Sequence, residues 1–405
     1  MDASVTAEKG KARQVSLAAI FAASVLSAAG ALVFNAFPLF LSTLADQFAL
    51  SDQQLGFLGT SFLGAFAFVA LAALWWLPRL SWKWLGAISY VLIGGSLLGF
   101  RAVTPENVFW LMGIYGMGSG IIFTLSLNVL AHARDPDRAY GIKLIFEMAL
   151  AGLLIFTMTS WLIERFGFSG FIYGTLILYA ASAVFVFWIP NKLLQANRQK
   201  NQTGGRSNMA AWLASFGLFV QFAAFAGLWG FMERIGAATG ATTESVGSIL
   251  GFSLVAGLGG ALAGTWIGNR WGQLRPLVIC LLLTIVSVSI LISGGTDVRA
   301  FAVAAGLINA LLQFFLIYQM GLVTEVDLTG RMTMLMAFIL ALGGALGPGI
   351  FGIIKTDTSF DPAYLSVIAI CTLTLVVNFF VEKLTSISRA ESAMSEDFLG
   401  SISQE

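Results

Sequence analysis

Charged residues are scarce in this chain. Asp, Glu, Lys and Arg together make up 11% of its 405 residues, whereas a soluble globular domain carries roughly 25%. Hydrophobic residues reach 58%, and the mean hydropathy is +0.85. The formal net charge is only +1, far from the basic surface that marks a nucleic-acid-binding protein. The composition predicts an integral membrane protein that contacts the lipid bilayer and no nucleic acid.

Metal-binding and catalytic side chains are also rare. The sequence has one histidine, His132, and two cysteines, Cys280 and Cys371. These are too few and too dispersed for a thiolate or imidazole metal site, and each cysteine lies in an apolar run, where it packs as a small hydrophobic residue. No nucleophile and base stand together either. We therefore expect no metal, no cofactor and no enzymatic activity.

Long apolar runs dominate what remains. A helix that crosses the hydrocarbon core needs about 20 mostly apolar residues, and twelve segments fit this description. They cover residues 16–41, 53–77, 84–101, 107–131, 141–163, 168–189, 209–232, 245–268, 276–294, 299–323, 332–354 and 363–382. The first is too long for the apolar region of a cleaved signal peptide. The sequence predicts an all-α membrane protein with twelve transmembrane helices.

A polar segment at residues 191–208 divides the chain. Its basic, Gly-containing composition is typical of a linker, and it separates an N-terminal six-helix bundle (16–190) from a C-terminal one (209–382). Tails cover residues 1–15 and 383–405. Of the 22 Lys and Arg residues, 17 fall on the side of the linker and tails, and 5 fall on the other side. Because positive charge stays in the cytoplasm, we expect both termini and the linker to be cytoplasmic, with the protein in the inner (plasma) membrane.

Two pairs of loops repeat between the halves. WWLPRLSWK (75–83) matches WIGNRWGQL (266–274), with a tryptophan and an arginine aligned at an offset of 191. DPDRAYG (135–141) matches DLTGRMTM (327–334), again with an aspartate and an arginine aligned. Internal repeats of this kind build many transporters, which bind substrate at the interface between the repeats.

The loop Asn269-Arg270-Trp271-Gly272, together with twelve spans and a central linker, resembles the major facilitator superfamily. Its loop signature reads Gly-x-x-x-Asp-Arg-x-Gly-Arg-Lys, so Asn269 replaces the acid here, and Pro78 replaces it in the first copy. The resemblance implies two six-helix bundles related by pseudo-symmetry and alternating access to a small-molecule site. The fourth span lacks the arginine that many proton-coupled members carry, and a Gly-Pro motif lies in the eleventh span (343–352) rather than the fifth. That motif is either a hinge or a kink tolerated through small-residue packing.

The repeated loops supply candidates for a cytoplasmic gate. Arginines there can bond to helix C-terminal carbonyls or to aspartates of the partner bundle in one state only. Alternatively, they are ordinary cytoplasmic anchors. The candidates are Arg79, Asp135, Arg138, Asn269, Arg270, Gly272, Asp327 and Arg331.

Glu147 interrupts an otherwise apolar segment, KLIFEMALAG (143–152), with Lys143 one helical turn earlier on the same face. In one interpretation, Lys143 reaches the cytoplasm and Glu147 follows it as a surface pair. In the other, Glu147 faces the cavity and changes protonation, because burial favours the neutral acid and Lys143 favours the carboxylate. We predict proton coupling at Glu147 and Lys143.

Neutral polar residues concentrate in the first, fourth, seventh and tenth spans, which line the cavity in the family. The predicted substrate cavity consists of Asn35, Tyr115, Gln221, Trp229, Asn309 and Gln313. The alternative is hydrogen bonding between helices, which we favour for Ser24 and Ser27. Glu233 and Arg234, flanked by glycines, form a candidate outer gate or a solvated helix end.

These observations predict a monomeric secondary transporter that moves a small organic solute together with protons. A proton-driven efflux antiporter is the first alternative, since 34 Phe and 11 Trp residues suit a cavity for amphipathic compounds. An uncoupled facilitator is the second. A non-transporting membrane sensor is remote, because no soluble domain is attached to signal.

Overall fold

The computed structural model describes residues 15–36, 40, 43–44, 47–50, 52–157, 162–191, 205–356 and 359–402. This part of the chain is helical and contains no β-strand. Its helices are α1 (Leu17–Asn35), α2 (Asp52–Leu71), α3 (Ala73–Arg79), α4 (Trp82–Gly99), α5 (Val108–Ala131), α6 (Pro136–Thr157), α7 (Ile163–Ala183), α8 (Gly205–Gly230), α9 (Met232–Ala238), α10 (Thr243–Ile267), α11 (Leu274–Gly294), α12 (Val298–Val326), α13 (Arg331–Ile354) and α14 (Asp361–Ile402). Most of the predicted linker, residues 192–204, lies outside the described residues.

The helices correspond to the predicted spans. Helices α2 and α3 form one span bent by 55°, and α9 is a short segment after α8. Among the described residues, nine helices are long and apolar enough to cross a membrane, or ten if the bent pair counts as one span. Helices α4 and α6 complete the predicted twelve, and α14 continues as a helix through most of the predicted C-terminal tail.

Local sequence signals set several helix ends. Ser16, Thr242 and Asp297 cap α1, α10 and α12, because each side chain accepts a hydrogen bond from a backbone N–H in the first turn. Helix α10 ends at Gly268, which has φ +53°, and α11 begins just after Gly272, which has φ +69°. Glycine adopts these left-handed conformations without the strain of a Cβ atom, so the loop between the two helices can turn sharply.

The two halves are α1–α7 and α8–α14. Between them, α6 packs on α10 and α12, while α13 packs on α2 and α5. These are equivalent positions in the repeat, so the contacts follow the predicted pseudo-symmetry. We name the end of the bundle that carries Arg79, Asp135, Asn191, Gly268 and Asp327 the linker face, and the other end the opposite face.

The Gly-Pro motif of the eleventh span lies inside an unbroken helix. Helix α13 runs through Pro348, and a methyl group on Gly347 would overlap the Ala223 carbonyl of α8. Gly227 of α8 is equally tight, since an added Cβ would lie 2.7 Å from the Gly347 carbonyl oxygen. Small residues thus let the two backbones touch, which is the packing interpretation of this motif.

Candidate functional site

The two halves meet closely where α6 begins. A methyl group on Gly141 of α6 would overlap the Thr265 side chain of α10. One residue earlier, the Tyr140 hydroxyl lies 2.9 Å from Thr324 Oγ1 of α12. We call this contact, from Tyr140 and Gly141 to Thr265 and Thr324, the linker-face seam.

Burial along α12 increases toward the linker face. The side chains of residues 315–324 are all buried, whereas those of residues 298–312 alternate between buried, half-buried and exposed. The deepest inter-half contact of α6 given by the structure joins Met148 Sδ to Gln313 Nε2 at 3.8 Å. The described contacts of α6 with the second half thus lie in its first thirteen residues, Pro136 to Met148, and the linker face is closed.

Just inside this seam lies a buried ion pair. Lys143 Nζ is 2.8 Å from Glu147 Oε1, and the side chains are 2% and 6% exposed. The same carboxylate oxygen accepts a 2.7 Å hydrogen bond from the Ser27 hydroxyl of α1. Phe123 of α5 places its ring centroid 4.9 Å from the ammonium, a cation–π distance. Three helices of the first half therefore enclose the pair.

This geometry contradicts the surface interpretation of Lys143 and Glu147. A lysine whose ammonium reached the water at the linker face would be exposed at its tip, and Lys143 is buried along its whole length. Protein groups stabilise both ions in addition to their mutual attraction. The Ser27 hydroxyl donates to the carboxylate, and the Phe123 ring faces the ammonium. Removing either partner would leave a buried charge without its counter-ion.

Two of the predicted cavity residues, Asn309 and Gln313, lie one turn apart on α12. Both are buried on α12, at 3% and 5% exposure. Asn309 packs on α10, where a Cβ added to Gly257 would come within 2.5 Å of its Oδ1. Gln313 Nε2 reaches Met148, while its Oε1 accepts no hydrogen bond from the described residues. An amide that spans the two halves with a free acceptor suits a polar ligand.

Tyr115 and Gln221 make their polar contacts elsewhere, and these contacts do not support the predicted cavity role. The Tyr115 hydroxyl donates to the Tyr179 hydroxyl at 2.9 Å inside the first half, and the ring is fully buried. Gln221 Nε2 lies 3.3 Å from Cys371 Sγ inside the second half, while its Oε1, like that of Gln313, accepts no hydrogen bond from the described residues. The cavity role of both residues stays a prediction.

Asn35 and Trp229 are only partly buried. Asn35 is the last residue of α1, and its Nδ2 donates to none of the described residues. Trp229 packs against the core near the end of α8. Both positions are compatible with a cavity, and their role there stays a prediction.

The gate arginines Arg79 and Arg270 contact their own helices. The Arg79 guanidinium lies 5.6 Å from the Trp75 ring centroid and donates to the Trp75 carbonyl oxygen at 2.8 Å. Arg270 repeats the arrangement, at 5.6 Å from the Trp266 ring. Both arginines are exposed. The repeat thus recurs in three dimensions. The described contacts of both arginines stay on a nearby tryptophan, and their gate role stays a prediction.

Asp135 and Arg138 do lie against the other half. Arg138 Nε is 4.0 Å from Asp135 Oδ2, and Gly268 of the α10–α11 loop packs on both side chains. In that loop, Asn269 and Gly272 line a linker-face cavity of about 250 Å³. The predicted gate loops of the two halves therefore meet here, with a glycine rather than a charged group as the contact.

Asp327 and Arg331 form a different structure from their repeat counterparts. Asp327 is buried, and its carboxylate accepts hydrogen bonds from the Thr333 backbone N–H at 2.8 Å and the Thr329 hydroxyl at 2.9 Å. It therefore caps the start of α13. Arg331 is exposed, and its backbone N–H donates to Thr329 Oγ1 at 3.3 Å.

The candidate outer gate is only partly described. The Arg234 guanidinium lies 5.6 Å from the Phe231 ring centroid and is exposed. The side chain of Glu233 lies outside the described part of the structure.

Sequence reasoning did not name the partners of three residues of this region. Ser27 forms a hydrogen bond between helices, the interpretation favoured from the sequence, but its partner Glu147 on α6 is distant in sequence. Asp137 and Gln273 join across the seam by a 2.7 Å hydrogen bond. Only the chemistry of a carboxylate next to an apolar span could have drawn attention to Asp137.

Two bundles of membrane helices with a seam at one face and buried polar groups beneath it define a transporter rather than an enzyme. The family model of the Major Facilitator Superfamily matches residues 20–348. The chain belongs to this superfamily.

Solved structures agree on the fold. The crystal structure of the superfamily transporter FucP in the outward conformation matches with a TM-score of 0.69 and 15% identity, covering 90% of this chain and 98% of that chain. A structure of the E. coli fucose:proton symporter FucP matches with a TM-score of 0.66 and 15% identity over the same shares. The proton:xylose symporter XylE bound to 6-bromo-6-deoxy-D-glucose matches with a TM-score of 0.68 and 12% identity, covering 89% and 94%. No curated protein sequence matches significantly.

Proposed function

We propose that this protein is a proton-coupled symporter of a small, uncharged polar solute, with Glu147 as the proton-carrying group. The observation that carries the proposal is the buried contact between Lys143 and Glu147, supplemented by Ser27. An ionisable pair inside a membrane protein is expensive and is retained where it serves transport. Similar folds in the fucose and xylose proton symporters support this choice of coupling.

The pair couples proton binding to movement through the charge of Lys143. While the linker face is closed, the ammonium stabilises the Glu147 carboxylate at 2.8 Å. A proton on Glu147 removes that counter-ion and leaves Lys143 charged in an apolar surrounding, which costs several kcal/mol. A state that opens the seam and hydrates Lys143 relieves this cost. Protonation therefore favours a different conformation from ionisation.

The solute would bind between α6 and α12. Gln313 and Asn309 offer neutral amide groups there, and the free Gln313 Oε1 can accept a hydrogen bond from a hydroxyl. The two charged side chains of α6 next to Met148, Lys143 and Glu147, are already paired with each other. A neutral polyhydroxylated solute fits these groups better than a multiply charged anion.

Purified protein in liposomes tests the coupling. Ligands are first found by thermal shift with a panel of neutral sugars, polyols and other metabolites, and uptake is then measured with and without an inward proton gradient. Wild type should accumulate solute only with the gradient. Glu147→Gln should lose accumulation while retaining exchange of labelled for unlabelled solute, because exchange needs no net proton movement.

Glu106→Gln is the matched control, since Glu106 is an exposed carboxylate on the opposite face and should leave accumulation unchanged. Gradient-driven accumulation in Glu147→Gln equal to that of wild type would remove Glu147 from the coupling role. In cells, we expect the linker face to be cytoplasmic and the protein to lie in the inner membrane as a monomer. Accessibility of introduced cysteines at Asn191 and Glu106 to an impermeant thiol reagent tests this orientation.

A further inference from the structure

Asp137 is the buried carboxylate nearest the seam. It lies in the first turn of α6, before the apolar span that begins at residue 141, and is 1% exposed. Its Oδ2 accepts a 2.7 Å hydrogen bond from Gln273 Nε2 at the start of α11. A methyl group on Gly321 of α12 would overlap its Oδ1. The carboxyl group of the first half is therefore enclosed by two elements of the second half.

The hydrogen bonding around Asp137 is incomplete for an ionised carboxylate. Its Oδ1 is shielded from solvent and accepts no hydrogen bond from the described residues, and the same holds for Gln273 Oε1. Two buried acceptors side by side lack one donor. A proton on Oδ1 supplies it: the acid O–H donates to Gln273 Oε1 while Gln273 Nε2 still donates to Oδ2, the two-point pairing of a carboxylic acid with an amide. The neutral acid thus completes the pair.

Asp327 shows what an ionised carboxylate requires at the repeat-equivalent loop. It is buried to the same 1% exposure, yet its two oxygens accept from the Thr333 N–H and the Thr329 hydroxyl. Asp137 receives one amide hydrogen bond and faces a glycine instead. Asp327 and Asp137 are equally buried but differ in hydrogen bonding. Asp327 is therefore a structural cap in its ionised form, whereas Asp137 is better satisfied when it holds a proton.

We propose that Asp137 is a second proton-binding site, distinct from Glu147, which is occupied while the linker-face seam is closed and releases its proton when the seam opens. Closure buries the carboxyl group against Gly321 and Gln273. Opening returns it to water at the N-terminus of α6, where the helix dipole favours the anion. The affinity of Asp137 for a proton and the position of the two halves are therefore linked.

The nearby carboxylates, like burial, favour the neutral form of Asp137. Burial raises the pKa of Asp137 to about 7, the hydrogen bond from Gln273 lowers it, and the nearby carboxylates Asp135 and Glu325 raise it further. Arg138 is the adjacent cation, but it is exposed and lies beside Asp135. The hydroxyls of Tyr140 and Tyr318 also lie near the site, and Glu382 of α14 lines the linker-face cavity together with Gln273 and Glu325.

The sign of the pH dependence follows from this shift. A solvated aspartate has a pKa of about 3.9, so in the open state Asp137 loses its proton well below pH 7. Between about pH 4 and pH 7 the open state is ionised and the closed state is still protonated. Closure therefore weakens as the pH rises through this interval, and the effect levels off above about pH 7, where both states are ionised.

The reactivity of a cysteine inside the seam measures closure directly. Thr324→Cys places a thiol at a position that is 3% exposed in the closed structure, and an uncharged thiol reagent reaches it only when the seam opens. The two native cysteines are buried, and the protein without Thr324→Cys supplies the blank. Labelling rates are compared with Asp137 intact and in Asp137→Asn, which mimics the neutral acid. Their ratio cancels the pH dependence of the thiol itself.

We expect this ratio, the rate with Asp137 intact divided by the rate in Asp137→Asn, to rise at least tenfold from pH 5.5 to pH 7 and then to level off. Glu106→Gln, which changes an exposed carboxylate on the opposite face, should keep this profile when it is added to both proteins. The double variant Lys143→Met/Glu147→Gln, which removes the buried ion pair without leaving an unpaired charge, should keep it too when added in the same way, so the result is independent of the proposed coupling role. A ratio that is constant with pH, or a rise that disappears in the double-variant background, would show that Asp137 is not the site. Should Asp137→Asn fail to fold, the Thr324→Cys rate normalised to detergent-unfolded protein gives the same profile.

Discussion

Neutralising one member of the buried ion pair should destabilise the protein far more than neutralising both. At 2.8 Å, two unit charges attract by about 6 kcal/mol with an effective dielectric constant of 20, but burying the two ions costs a comparable amount. Glu147→Gln leaves Lys143 charged and 2% exposed. Lys143→Met leaves Glu147 with the Ser27 hydroxyl. Each single variant should lose about 3–5 kcal/mol.

The double variant Lys143→Met/Glu147→Gln removes the attraction and both burial costs together. It should therefore stay within about 1–2 kcal/mol of wild type, giving a coupling energy of about 3 kcal/mol or more. For 405 residues, the unfolding entropy is about 0.85 kcal/mol/K, so the single variants should unfold about 4–6 °C below wild type. Scanning fluorimetry of the four purified proteins in one detergent gives these values.

Small effects of the two single variants would refute the reasoning. If both single variants unfold within about 1 °C of wild type, corresponding to less than about 1 kcal/mol, each charge must reach water by itself. Lys143 would then behave as a surface lysine, and the proposal that protonation of Glu147 drives a conformational change would lose its energetic basis.

Further substitutions test individual contacts. Gly347→Ala should destabilise the second half by about 1–3 kcal/mol in a thermal-unfolding assay, because the methyl group overlaps the Ala223 carbonyl. The control is Gly349→Ala, whose added methyl group meets nothing within 4 Å. This control should be neutral or stabilising by up to about 1 kcal/mol. Ser27→Ala removes a hydrogen bond to a charged oxygen and should cost about 1.5–3 kcal/mol, read from the same transition. Tyr115→Phe should leave the KM of uptake unchanged, since its hydroxyl lies inside the first half; an increase of tenfold or more would return Tyr115 to the cavity.

The architecture follows from composition and periodic apolar runs, because a bilayer permits few other folds for such a chain. The repeat of Trp75 and Arg79 in Trp266 and Arg270 is visible in the sequence and recurs in space as two matching stacks. The role of these arginines is not visible in the sequence, because a sequence repeat does not show the direction in which a side chain points. Both guanidinium groups turn back onto their own helix.

The site is predictable where partners are close in sequence. Lys143 and Glu147 lie one turn apart, so their pairing follows from helical geometry. Ser27 and Gln273 could not be assigned, because their partners are 120 and 136 residues away and the contact depends on how helices pack. The hydroxyl partner of Tyr115, which is Tyr179, could not be assigned for the same reason, because it is 64 residues away in the sequence.

The repeat is symmetric in backbone and asymmetric in chemistry, which bears on how the two halves divide the work of transport. Helix α6 places Asp137 against the second half and the Lys143–Glu147 pair among first-half helices, whereas its counterpart α13 presents Gly347 and Pro348 to α8. Charged groups gain or lose solvation when a contact opens, so they make the first-half seam sensitive to protons. Glycine contacts carry no charge and depend only on close packing. If Asp137 and Glu147 bind protons as proposed, a proton biases the α6 seam and not the glycine contacts of α13, and the coupling then resides in one half of a duplicated fold.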